Sequence, residues 1–185
     1  MSPVPSEIDL IARATHFAEQ GQSDRVFETL DACLREYPNS ALAHYLSAAE
    51  SAQNRQYERA ARHFEAALAL QPGLHEARLQ FGLLLLTMGM PDACIQTLGA
   101  IDAAKSHPAI AAFAEGLSLL AQDRLDVAME ALQRGLALRH PNVALGQDMK
   151  MLAAEIERTL RDAHADDTMA GAATFFLQHY NASGR

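Results

Sequence analysis

Small side chains return every 34 positions along the first three quarters of this chain. Ala14, Ala48, Gly82 and Gly116 stand 34 residues apart, and so do Val26, Ala60, Cys94 and Ala128. The same step joins Leu30, Phe64, Leu98 and Leu132, and again Cys33, Ala67, Ile101 and Gly135. Four columns in register over four units mark a repeat array, in which each unit is one supersecondary element that buries its apolar face only by stacking on its neighbours. Pro38 and Pro72 close the first two units at that step, and Pro108 and Pro141 close the other two with a slip of one or two residues.

Each unit reads as two helices. In the second, Asn39-Ser40 offers an N-cap to the segment 41–53, and Asn54-Arg55-Gln56 makes the turn. Tyr57, Ala60, Ala61, Phe64, Ala67 and Leu68 then share one helical face, and Pro72-Gly73 stops the helix. In the third unit Gly89 falls in the inter-helix turn, and Pro91 falls at a first helical position, where proline is tolerated. A Gly or Ala in the first column lets the two helices of a hairpin approach closely. The bulky Leu30/Phe64/Leu98/Leu132 column is expected to fill the space between consecutive hairpins. Beyond the fourth unit, Leu145, Met149, Leu152, Ile156 and Leu160 line one face of a helix over 143–162. Such a helix, wet on its other face, caps the open end of a stack. His164-Ala165-Asp166-Asp167 reads as a break before a short amphipathic helix over 168–180.

The fold class is therefore all-α. With 49% hydrophobic residues and 21% charged, a packed core is within reach, while the few aromatics and absent Trp speak against an all-β fold. The balance of 15 basic against 23 acidic residues leaves a net charge of −8. That charge excludes the basic footprint of a nucleic-acid binder and the polybasic patch of a membrane-surface protein. The opening MSPVPSEIDL lacks the basic and apolar regions of a secretory signal, and no stretch is long and apolar enough to span a bilayer. A cytoplasmic location is the expectation. Cys33 and Cys94 stand in apolar surroundings and are expected to be reduced core thiols.

No catalytic or metal signature emerges. His75-Glu76 lacks the second histidine of a zinc motif, and there is no phosphate loop, nucleophile elbow or calcium loop. The eight histidines are scattered and read as exposed or turn residues. His107 and His140, each beside a proline at a unit junction, suit a cap or turn role. The expectation is a non-enzyme with no cofactor and no metal.

These columns resemble the tetratricopeptide repeat, whose 34-residue helix–turn–helix units carry a small residue in the first helix, then Ala, a bulky residue and Ala in the second, and a closing Pro. The resemblance implies a right-handed α-solenoid with repeats at 7–40, 41–74, 75–108 and 109–142. Residues 1–6 are then an extension and 143–162 a capping helix. The chain departs from the pattern at His44, Arg78 and Ala112, where a large apolar residue belongs, at Ser51 in the tyrosine-type position, and at Gly135 in place of Ala.

The resemblance further implies that the first helices line a concave groove through their second, fifth, ninth and twelfth positions. Those positions hold Ile8, Ile11, Thr15 and Ala18; Leu42, Tyr45, Ala49 and Ala52; Glu76, Leu79, Leu83 and Leu86; and Ile110, Phe113, Leu117 and Leu120. The Lys, Arg and Asn of family members that hold acidic peptide tails are missing, which excludes that function. A long apolar groove needs a cover. The candidates are a partner's apolar or amphipathic helix, a second copy of the chain, or the chain's own last helix through Phe175, Phe176, Leu177 and Tyr180. The leading expectation is a non-catalytic adaptor or scaffold binding such a helical segment. The alternatives are a cytosolic chaperone for a hydrophobic client, which resembles the repeat chaperones of type III secretion translocators, and a regulatory or docking subunit of an enzyme or envelope-assembly complex.

Overall fold

A computed structural model describes residues 5–166. Among the described residues every regular element is helical: α1 (Glu7–Glu19), α2 (Ser23–Glu36), α3 (Ala41–Gln53), α4 (Tyr57–Leu70), α5 (His75–Thr87), α6 (Pro91–Leu98), α7 (Pro108–Ala121), α8 (Leu125–Ala137) and α9 (Val143–Asp166). The fold is all-α and of the helical-repeat class. Helices pair as hairpins, α1 with α2, α3 with α4 and α7 with α8. The chain divides into two compact units, Met1–Ala77 and Arg78–Arg185.

The helices start where cap chemistry allows. Ser6 and Asp9 form a reciprocal capping box at α1, and the Ser40 hydroxyl accepts from the Ala43 N–H at 3.1 Å. His107 is the N-cap of α7, its Nδ1 accepting from the Ala109 N–H at 3.2 Å, and the His140 Nδ1 accepts from Asn142 in the same way at 3.1 Å. Both histidines beside prolines thus have the cap and turn roles expected of them. Pro91 opens α6 in the position that needs no N–H donor.

The four hairpin turns are the same turn. Gly21, Arg55, Gly89 and Asp123, spaced 34 apart, all have positive φ, at 67°, 57°, 73° and 61°. Around each, two backbone bonds close the preceding helix. Gln22, Gln56, Met90 and Arg124 donate to the carbonyls of Phe17, Ser51, Leu85 and Leu119, and the left-handed residue itself donates to Ala18, Ala52, Leu86 or Leu120. This is the Schellman pattern, which satisfies carbonyls that a helix end leaves open. Two of the four turns take that backbone without a glycine, so the column escapes a reading by residue type.

The small column does what its size requires. A Cβ on Gly82 would lie 2.5 Å from Leu98 Cδ2, and one on Gly116 would lie 2.8 Å from Leu132 Cδ2. In these hairpins the bulky column therefore sits over the small column of its own unit, a contact beyond the inter-hairpin filling expected from spacing. In the first unit Leu10, Ala14, Phe17, Val26, Leu30, Cys33 and Ala43 form one buried cluster. Both cysteines are free and buried, and burial pushes the Cys94 thiol up to about 12.

Among the described residues α9 runs on through Asp166, past the start of the break expected at 164–167. His164, Ala165 and Asp166 include neither Gly nor Pro, and an alanine-rich stretch lets the helix continue. The helix expected over 168–180 lies outside the described residues. Among the described residues no helix is long and apolar enough to cross a membrane.

Candidate partner-binding face

The expected groove positions differ sharply between the two units. In the first, α1 and α3 pack side by side. Ile8 is 78% exposed and Leu42 44% exposed, both at the second position of their helices. Ile11 and Tyr45, at the fifth position, are half-buried, and Thr15 and Ala18 are exposed. The Tyr45 ring lies 6.4 Å from that of Phe64 on α4, which holds one side of the phenol ring while the other part reaches the surface. The Thr15 hydroxyl donates back to the Ile11 carbonyl at 3.0 Å. Glu76 is half-buried.

α3 is nearly charge-free at its surface. Its single ionisable carboxylate, Glu50, is buried and accepts from the Asn54 side chain at 2.9 Å, and its exposed residues are Leu42 and Gln53. Ser47 and Ser51 are buried too, with hydroxyls that have no hydrogen-bond partner. Ser51 occupies the position where the repeat pattern places a tyrosine, so the aromatic is replaced by a small polar group turned inward.

In the second unit the same positions are interior. Leu79, Leu86, Ile110, Phe113, Leu117 and Leu120 are all nearly inaccessible to solvent, and Leu83 is half-buried. These six do not present the open wall expected of them. For Phe113 the reason is visible. A Cβ on Gly135 would stand 2.3 Å from the Phe113 ring, so the ring occupies the room that the missing methyl leaves on α8. Gly135, a departure from the repeat pattern, is the partner of a large residue at the fifth position. The last-helix anchors Phe175, Phe176, Leu177 and Tyr180 lie outside the described residues.

A feature that the motif reading passed over lies on the flank of α3. His44 and His63 bring their Nδ1 atoms to 3.0 Å, across the α3–α4 hairpin. Beside them Arg59 pairs with Asp31 on α2 at 3.1 Å and lays its guanidinium over the Phe27 ring, 4.4 Å from the centroid. The signal was present as two histidines 19 apart, but nothing in a single unit says that they meet. Among the described residues no group of three or more His, Cys, Asp or Glu is disposed to hold a metal ion.

Hairpins with identical turns and a small-over-bulky core define a helical-repeat fold. Residues 51–115 match the family model described as tetratricopeptide repeat. Among solved structures, MamA from Desulfovibrio magneticus RS-1 (residues 41 to the end) is 20% identical with a TM-score of 0.62, over 98% of this chain and 99% of that one. A MamA RS-1 double mutant is 20% identical with a TM-score of 0.59, over 85% and 98%. PilW, a type IV pilus biogenesis factor, is 17% identical with a TM-score of 0.67, over 97% and 78%. At these identities the likeness is one of fold. No curated protein matches the chain.

Proposed function

We propose that the protein is a non-catalytic interaction module and that its partner-binding face is the α1/α3 surface of the first unit. The observation that carries this reading is the pair Ile8 and Leu42, open apolar residues at equivalent positions on two adjacent helices, flanked by half-buried Ile11 and Tyr45. The partner is an apolar or amphipathic helical segment, whose own side chains lie between the two helices as anchors. Glu19, exposed at the end of α1, and the chain's net charge of −8 favour basic residues on the partner's flanks. Fully burying one such side chain is worth about 1.5–3 kcal/mol. With Ile8 78% and Leu42 44% exposed, the two anchors supply about 2–4 kcal/mol before any ordering cost, so the partner must reach further contacts on this face. The interaction is a weak, exchangeable one, as suits an adaptor.

The test is capture of partners from native cells with the intact chain and with an Ile8→Asp/Leu42→Asp variant. Both substituted side chains are open to solvent, so the variant is expected to keep its circular dichroism and melting behaviour. Loss of specific partners from the folded variant is the expected result. Retention of every partner by a folded variant overturns the reading.

A further inference from the structure

The His44 Nε2 lies 3.2 Å from the Pro38 carbonyl oxygen, which can only accept, so that nitrogen carries the proton. A neutral His44 then offers Nδ1 as an acceptor, and the neutral His63 must donate from its own Nδ1 across the 3.0 Å gap. The ring centroids are 5.3 Å apart, which is the N···N distance plus the two ring radii. The two nitrogens therefore aim at each other along a nearly straight line, the geometry of an N–H···N bond. They do not converge on a common third point, so the cation they are arranged to share is a proton rather than a metal ion.

We propose that His44 and His63 form a proton-limited clasp on the α3–α4 hairpin, closed while the pair holds at most one extra proton and open when it holds two. With one extra proton an imidazolium donates to a neutral imidazole, so the N–H···N bond is kept. With two, both Nδ1 atoms carry hydrogens, no acceptor is left between them, and two positive rings face each other. The surroundings resist the second proton. Burial, the His44 ring and the Arg59 and Arg62 guanidiniums all push the His63 pKa below its ordinary value, against the pull of Asp31 from α2. The clasp is anchored at both ends of the hairpin's structure. His44 ties α3 to the Pro38 carbonyl in the α2–α3 connection, and His63 stands next to Phe64, whose ring touches Tyr45. Opening it releases the α3–α4 contact beside that aromatic pair. Because the folded His63 value lies below the unfolded one, the clasp's stability is complete above about pH 6.5 and is lost as the pH falls through the folded value.

The experiment is an imidazole titration of the full chain by NMR, from pH 8 to pH 4, with the wild type and the His44→Gln and His63→Gln variants. In the wild type the pair is expected to take up its protons in two macroscopic steps, the second at least about tenfold weaker than the first. Amide exchange across α3 and α4 is expected to quicken with the second step. In His44→Gln the His63 step is expected to move up toward its ordinary value. Two independent single-step curves in the wild type overturn the proposal, as does exchange across α3 and α4 that ignores the second step. The wild-type measurements decide even if either variant fails to fold.

Discussion

The same repeat positions are surface in one half of this molecule and interior in the other. At the second position Ile8 and Leu42 are open, while Ile110 is sealed. At the fifth, Ile11 and Tyr45 are half-buried, while Leu79 and Phe113 are fully enclosed. The repeat register alone therefore does not set how deep a side chain goes, and at Phe113 a facing residue contributes. Gly135 is that facing residue in the last hairpin, and Ala67 holds its place in the second. The Phe113 ring fills the room at Gly135, whereas Tyr45 stays half-buried in the hairpin that carries Ala67.

That contrast can be broken from either side. The largest effect is expected from Phe113→Ala, which empties a fully buried aromatic site and should cost about 3–5 kcal/mol in denaturant unfolding. A smaller loss at this site would mean that the ring is less enclosed than its burial indicates. Gly135→Val attacks the same contact from α8 and should cost about 1–3 kcal/mol by overpacking. Should it prove neutral, the Gly135–Phe113 fit is not what draws the ring inward.

The turns sharpen the comparison because they are alike in both units. Gly89→Ala places a side chain on a left-handed backbone and is expected to lose about 1 kcal/mol, whereas Arg55→Gly relieves such a residue and gains at most about 1 kcal/mol. Equal and opposite shifts in thermal midpoint check the pair, and shifts of the same sign would contradict a shared turn. In the first unit Ser51→Ala removes a buried hydroxyl that has no partner and should stabilise by about 1 kcal/mol. The smallest effect belongs to Ile8→Ser, expected to stay within about 0.5 kcal/mol because the side chain is already in water. A large loss there would place Ile8 in the core and remove the candidate face.

The architecture could be read from residue types alone wherever a physical demand allows few answers. The column at Gly82 and Gly116 needs an absent or tiny side chain, and the caps at Ser40 and Pro91 need particular chemistry, so these were visible in one sequence. The turn column was not, because Arg55 and Asp123 adopt at some cost a backbone that Gly21 and Gly89 adopt freely. The groove was only partly readable for a different reason. Apolar residues at the second and fifth positions satisfy an open wall and a packed interior equally well, and the deciding neighbour lies on another helix. Ser47 and Ser51 show the converse, since polar residues at core positions look like surface until their burial is known.

Each hairpin's bend is settled within the last turn of its own first helix, by bonds that reach no other repeat. The angle between the two arms is thus a local property, carried inside every copy of the motif. A gene for such a chain can lengthen or shorten by whole 34-residue blocks without retuning the bends that remain, whereas the loss of a single residue between the arms disrupts that one joint.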